Sequence, residues 1–286
     1  MKMRYFAGHF APFLSTGRKI RSLYDNSGYV RVLIYHDISE SKLGLFSRQI
    51  HYLASHYQFL TPEQFQRFTQ GEYYISGANL LITFDDGFKS NRLVAEKVLG
   101  PMGIKGIFFV TTEFIGQPDR TVQREFIEHQ IFDGDISGSE ILSGMEPLTW
   151  DDLEYLLEQG HVIGSHTCNH KRLSKVHSQN DLHYEIIESG NILEKKLGVT
   201  IDCFAYPFGD IDSICNGPVN LIKQRYKYSF SGIRGSNYSS VFPYAILRDA
   251  ISVNDPPGYL RLIIENGIDI FYRKKASRLL KITRGY

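Results

Sequence analysis

Asn79-Leu80-Leu81-Ile82-Thr83-Phe84-Asp85-Asp86-Gly87 is an apolar, strand-like run that stops abruptly at two adjacent carboxylates and a glycine. Neighbouring acids repel one another, so two of them at the end of a buried strand are costly unless a cation sits between them. A divalent metal fits, and Gly164-Ser165-His166-Thr167-Cys168-Asn169-His170 is the stretch to supply its other ligands. If a helical turn begins at His166, the four-residue spacing sets both imidazoles on one side. With Asp86 as the third ligand this becomes a two-histidine, one-carboxylate site with open positions, suited to hydrolysis by activated water or to iron oxygenase chemistry. Strand alternation lets only one of the two acids face the metal, which leaves the other free beside it as a general base. Plainer readings compete: an Asp-Asp-Gly turn capping a helix, and two hydrogen-bonded histidines at a loop–helix junction. Neither explains why both acids follow so apolar a strand.

The chain of 286 residues, 42% of them hydrophobic, is long enough for one large domain or two small ones. No apolar run approaches the length of a transmembrane helix. Three cysteines do not describe a disulfide framework and point to a reducing compartment. The apolar part of Met1–Leu14 is short and broken by His9 and Pro12, which argues against a signal peptide. A cytoplasmic location, or one peripheral to the cytoplasmic membrane, is therefore expected. The net charge of +1 is unevenly spread. Residues 1–24 hold five Lys/Arg and residues 270–286 hold six, with no acid in either stretch, so the middle keeps 21 basic residues against all 31 acids. Both ends also carry aromatics or leucines. They fit solvated tails, or segments lying on a membrane surface. The acidic middle argues against nucleic-acid binding.

Along the chain, short apolar runs alternate with helical patterns. Strands are expected at Tyr29–Tyr35, the Thr83 run, Gly106–Thr111, His161–Gly164, Ile201–Tyr206, Tyr226–Phe230 and Ala245–Val253. Helices are expected over Phe46–Tyr57, after the Thr61-Pro62 start, over Ser90–Leu99, after the Thr149 cap, and over Gln179–Leu197, Ile214–Arg225 and Pro257–Glu265. Residues 116–146, polar and Gly/Asp-rich towards their end, read as an insertion over one face with a helix near Val122–Ile131. The organisation is a basic segment 1–28, a catalytic domain 29–255 and a C-terminal helix with basic tail 256–286. Strand–helix alternation argues for a parallel α/β fold, and His36, Asp85, Asp86, His166 and Pro207-Phe208-Gly209 all fall just past strand ends. In a (β/α) barrel those ends share one face, where active sites are built.

Three of these stretches, Thr83-Phe84-Asp85-Asp86-Gly87, His166-Thr167-Cys168-Asn169-His170 and Ala205-Tyr206-Pro207-Phe208-Gly209, together with Leu148-Thr149-Trp150 and Gly160-His161-Val162-Ile163-Gly164-Ser165, resemble the successive signatures of the polysaccharide deacetylase family (the NodB-homology domain, carbohydrate esterase family four). The resemblance spans roughly residues 29–255. It implies a distorted (β/α) barrel and a metal-dependent hydrolase acting on linear amides, with N-acetylated sugar polymers, oligomers or lipid-linked saccharides as substrates. By motif, Asp85 is the base, while Asp86, His166 and His170 hold the metal, commonly zinc, with cobalt, nickel, manganese or iron as alternatives.

Two departures stand out. Ala205 occupies the place where the third motif often has an arginine that orients the base, and no histidine follows His183 to serve as the usual late catalytic acid. His36, in Leu33-Ile34-Tyr35-His36-Asp37, is similar to the early Tyr-His motif of the permuted branch that includes poly-N-acetylglucosamine deacetylases. It is the candidate acid there, with a buried, backbone-bonded histidine as the plain alternative. Arg248 is the candidate to pair with Asp85 in place of the missing arginine, and Asp249 to raise the pKa of His36. Tyr206, Phe208 and Trp150 are candidates for an aromatic wall under a sugar ring, with Pro207 and the backbone near Phe208 beside the oxyanion. An iron oxygenase using the same three ligands and an inactive carbohydrate-binding homologue are the alternatives in function.

Overall fold

The computed structural model describes residues 28–134 and 145–285. The expected basic segment at the N-terminus therefore lies, but for its last residue, outside the described residues. So does the Gly/Asp-rich part of the 116–146 insertion.

The first strand, β1 (Tyr29–Tyr35), is followed by α1 (Leu43–His56), β2 (Gln58–Phe59) and α2 (Pro62–Thr69). Thr61 caps α2 by accepting from the backbone N–H of Gln64, whose side chain reaches back to the Thr61 N–H, and Pro62 opens the helix. Next come β3 (Ala78–Phe84), α3 (Ser90–Val94), β4 (Gly106–Val110) and α4 (Arg120–Phe126). Two wider turns, Ala95–Leu99 and Ile127–Ile131, extend α3 and α4. Thr149 caps α5 (Trp150–Glu158), which leads to β5 (Val162–Ser165), α6 (Gln179–His183) and α7 (Ser189–Leu197). The chain continues through β6 (Cys203–Ala205), α8 (Asn216–Arg225), β7 (Tyr228–Phe230), β8 (Arg248–Ala250), α9 (Pro257–Ile264) and α10 (Arg273–Arg284).

All strand pairings are parallel, in the order β7-β6-β5-β4-β3-β1-β8, with β2 also paired to β3. A parallel bridge between Phe230 and Ile246, just ahead of β8, brings the two ends of this order together. The result is the nearly closed, distorted (β/α) barrel expected from the sequence. Residues of the strands divide between two apolar clusters by strict alternation. Val30, Val32, Leu81, Ile107, Phe109, Ala205, Phe230 and Ile246 gather from strands all round the barrel and fill its interior. Leu33, Tyr35, Ile82, Phe84, Phe108 and Phe204 pack outward beneath the helices, against Ile50, Leu53, Leu153, Leu156, Ile186 and Leu193.

That alternation settles Asp249. Arg248 shares the interior face with Ile246, so Asp249 must point outward, away from the barrel mouth. There it accepts two hydrogen bonds from Arg31, Nε to Oδ2 at 2.8 Å and Nη2 to Oδ1 at 2.6 Å, with both side chains fully buried. The expectation that Asp249 tunes His36 is therefore wrong. Arg31 also reaches Asp269 at 2.8 Å and the Asn266 side chain at 2.9 Å. The pair thus ties β1 and β8 to the segment leading into α10. Nor does the C-terminal basic stretch behave as a loose tail. It forms α10, which buries Leu279 and Thr283.

Removing one partner of a buried ion pair leaves the other uncompensated. Arg31→Met is expected to cost about 3–5 kcal/mol, read as a lowered urea midpoint, with much of the loss recovered in Arg31→Met/Asp249→Leu. A single variant as stable as the parent would show that the pair contributes nothing to stability.

Candidate active site

Asp85 follows Leu81 and Thr83 on the interior face of β3, and its backbone N–H continues the ladder to the Tyr35 carbonyl at 3.0 Å. A negative carboxylate here needs a counter-charge, and Arg248 of β8 supplies it. The Arg248 guanidinium donates to both Asp85 oxygens, at 2.7 and 2.9 Å, and is itself held by the Ser231 carbonyl at 2.8 Å. Burial would raise the Asp85 pKa; the charge and hydrogen bonds of Arg248 lead the effects that outweigh it and hold the carboxyl below its ordinary value. The pairing with Arg248 suggested by the sequence is present in the structure.

At Asp86 the chain leaves the strand. Its φ of 76° lies in the left-handed region, followed by Gly87 at 87°, and this reversal swings the carboxylate off the strand direction. Asp86 Oδ1 then lies 3.5 Å from His166 Nε2 and 3.4 Å from His170 Nε2. All three side chains are buried, and their ligand atoms fall within 4.8 Å of one another.

The two histidines do not meet by helical spacing. Residues 166–170 are a loop, and left-handed conformations at Thr167 (69°) and His170 (55°) turn the second imidazole back towards the first, with ring centroids 5.0 Å apart. Glu185 holds this loop, accepting from the backbone N–H groups of Cys168 and Asn169 at 3.1 and 2.8 Å and from the Asn169 side chain at 2.9 Å. Cys168, between the histidines, is buried.

The histidine tautomers follow from their outer partners. His166 Nδ1 lies 2.8 Å from the Ala205 carbonyl and His170 Nδ1 lies 2.7 Å from the Gln130 carbonyl. A carbonyl only accepts, so each Nδ1 carries the proton and each Nε2 is left with a lone pair facing Asp86. Burial lowers the His170 pKa to about 4, which keeps that ring neutral near pH 7. With both rings neutral, three acceptor atoms converge on one point. A divalent cation is the partner that satisfies this donor set.

These groups open onto one cavity of about 450 Å³. His36 borders it with an exposed side chain and helps to lower the pKa of both Asp85 and Asp86. Its backbone carbonyl accepts from Asn91 at 3.0 Å, and the neighbouring Asp37 accepts from Ser90 at 2.8 Å, so the start of α3 fixes the loop that carries it. Phe208 also lines the cavity, its ring 4.8 Å from that of His170 and 4.0 Å from the Arg172 guanidinium. Phe208 and Gly209 are both left-handed (61° and 62°). A Cβ at Gly209 would meet the Gly232 nitrogen at 2.4 Å, so this turn needs glycine. Four of the six non-glycine residues with positive φ among the described residues, Asp86, Thr167, His170 and Phe208, are at this one site.

Two of the three expected wall residues, Trp150 and Tyr206, and Pro207, expected beside the oxyanion, are used otherwise. Trp150 is outside the cavity, packed beneath Gly116 with Lys196 over its ring at 5.5 Å, because the Thr149 cap commits it to the first turn of α5. Tyr206 borders the cavity, but its ring is buried edge-on against Phe204 and its hydroxyl meets Ser229 at 3.4 Å; it is core. Pro207 is buried and has no N–H to donate to an oxyanion. The wall is built instead from Phe88 and from Ile131, Phe132 and Met145 of the insertion. Sequence reasoning missed these, along with Glu185 and Arg172. A glutamate beside the inward position Ile186 carries no local sign that it will bind a loop.

A family model described as polysaccharide deacetylase matches residues 76–224, just over half of the chain. No curated protein sequence matches significantly. Among solved structures, the chain is similar to the Streptococcus pyogenes deacetylase PplD in complex with acetate, at 20% identity and a TM-score of 0.63, over 83% of this chain and 99% of that one. It is also similar to IcaB from Ammonifex degensii (20%, 0.61, 83% and 96%) and to the BpsB deacetylase domain from Bordetella bronchiseptica (16%, 0.61, 78% and 96%). At these identities the likeness speaks for the fold, and the family match covers the strands that carry Asp85, Asp86, His166 and His170. The chain belongs to the polysaccharide deacetylase family and is a carbohydrate deacetylase.

Proposed function

We propose that this enzyme hydrolyses the N-acetyl group of an N-acetylated saccharide with the help of a divalent metal, zinc being the best fit to two imidazoles and a carboxylate. The observation that carries this reading is the meeting of Asp86, His166 and His170 beside an Arg248-paired Asp85 and an exposed His36, all around one cavity. Acetate, the ligand named with PplD, is also what such a hydrolysis releases. Asp86, His166 and His170 would hold the metal, which when bound supplies a Lewis acid that polarises the acyl carbonyl and acidifies water.

The chain's own groups do the rest. Asp85, kept ionised by Arg248, accepts a proton from the attacking water as its oxygen bonds to the acyl carbon. A backbone N–H near Phe208 donates to the oxygen on which charge develops. The His36 imidazolium gives a proton to the departing nitrogen, so that the C–N bond breaks to release amine and carboxylate. The oxygenase and inactive-homologue alternatives have no specific observation in their favour, since the chain falls in a deacetylase family and retains base, ligands and acid. A position in the cytoplasm or at the cytoplasmic membrane surface remains part of this proposal.

Mass spectrometry of N-acetylglucosamine oligomers and lipid-linked N-acetylated saccharides after incubation should reveal the loss of one acetyl group per cleavage, abolished by chelation and restored by zinc. Unaltered masses across both substrate sets, with metal bound, would reject the activity. Asp85→Asn should lower kcat by at least about 100-fold while metal content stays at the parent level, whereas His166→Ala should lose both. An active Asp85→Asn enzyme would remove this base from the scheme.

The pH profile of kcat/KM should be bell-shaped. Asp85 works ionised, and its depressed pKa carries the acid limb below the ordinary carboxylate range. The alkaline limb reports the proton donor, which is His36 in this scheme. His36→Ala should lower the plateau and flatten that alkaline limb; an unchanged limb would assign the acid to another group.

A further inference from the structure

Eight large apolar side chains are exposed among the described residues, and only two of these, Ile270 (63%) and Phe271 (77%), adjoin in sequence. They sit on a firmly held segment. Asp269, immediately before them, is ion-paired to the buried Arg31, and Lys275, four residues after Phe271, is bonded to Asp210 at 2.7 Å. A pair of apolar side chains held out into water on both-side anchors has a cost unless something apolar receives it.

The adjoining helix says what that is. α10 spends its apolar side on the protein, with Leu279 and Thr283 buried. Its outward side carries Arg273, Lys274, Arg278, Lys281 and Arg284, all exposed, and no acid occurs between residues 270 and 286. Asp212 lies 3.6 Å from Arg278 and, with Asp210 on Lys275, offsets part of this charge; no ion pair is recorded for Arg273, Lys274, Lys281 or Arg284 among the described residues. Charge alone would suit any polyanion. An aliphatic–aromatic pair beside it suits a bilayer, in which such side chains enter the acyl boundary while Lys and Arg meet headgroup phosphates.

We propose that Ile270, Phe271 and the basic face of α10 form a docking surface for an anionic lipid bilayer. α10 touches the active end of the barrel at one point, while Asp269, beside Ile270, is tied to Arg31 near the start of β1. Lys275 grips Asp210, the residue after Gly209, and Gly209 lines the cavity. An enzyme held at a bilayer would meet saccharides tethered to a lipid, a consequence that rests on the deacetylase reading, whereas the docking itself does not.

The test is co-sedimentation of the full chain with neutral phosphatidylcholine vesicles and with vesicles containing about 30% phosphatidylglycerol, at low and high salt. The expected result is retention on the anionic vesicles only, weakened by salt. Ile270→Ser/Phe271→Ser and, separately, Arg273→Glu/Lys274→Glu should each weaken retention at least about tenfold. All of these side chains are exposed and outside the cavity, so hydrolysis of soluble N-acetylated oligomers should be unchanged in both variants. Retention equal to the parent in both would overturn the proposal. So would loss in the charge variant alone with parent-like binding to soluble polyphosphate in the serine variant, which would make the surface a polyanion site. Phe271→Trp gives a readout independent of binding strength: its emission should shift to the blue on anionic vesicles, and an unshifted spectrum on sedimented protein would exclude insertion. Because vesicle binding is read without substrate, its failure and a failure of the deacetylase activity are distinguishable.

Discussion

Three lone pairs aimed at one point govern this molecule. Asp86 Oδ1 and the Nε2 atoms of His166 and His170 come within 3.5 Å along each Asp86–His contact, while carbonyls of Ala205 and Gln130 keep the imidazole protons on the far nitrogens. Unshared acceptors crowded in a buried place repel one another, so the surrounding structure has to hold them there. Much of the site's architecture is that restraint: left-handed backbone at Asp86, Thr167 and His170, the Glu185 carboxylate gripping the histidine loop, and Phe208 packed against His170 and Arg172. Strain at these points is tolerable because the barrel beneath them is packed and closed.

Beside that centre the barrel distributes charge by strand parity. Arg248 and Asp249 are consecutive yet serve opposite sides. One neutralises the candidate base within the barrel, and the other binds Arg31 outside it. The outer pair links β1 and β8, the two strands that bring His36 and Arg248 to the mouth, and continues through Asp269 to α10. Structural and functional ion pairs thus share a two-residue stretch.

The insertion has a larger part than its polar composition suggests. It brings Ile131, Phe132 and Met145 to the cavity and the Gln130 carbonyl to His170. A cavity walled by such residues is more apolar than an open cleft along a polar polymer. Trp150, the aromatic residue that looked suited to a sugar, is used instead beneath Gly116.

All the strands but the two-residue β2, most helices, and the grouping of Asp85, Asp86, His166, His170 and His36 at one end of a barrel were legible in the chain because they depend on local matters: apolar runs, capping residues and the distance of a polar residue from a strand end. The Thr149 and Thr61 caps and the Gly209 turn belong to the same class. Other features depended on which strands become neighbours and what folds over them, and closure of the barrel decided these. Only then does Arg248 reach Asp85, 163 residues away, while Asp249 turns its back on His36. The histidine pair shows both sides at once: its residues were evident from the motif, but a loop with reversed backbone, not a helical turn, brings the rings together. Side-chain identity is written locally, whereas direction and partnership are set by the packing of distant segments.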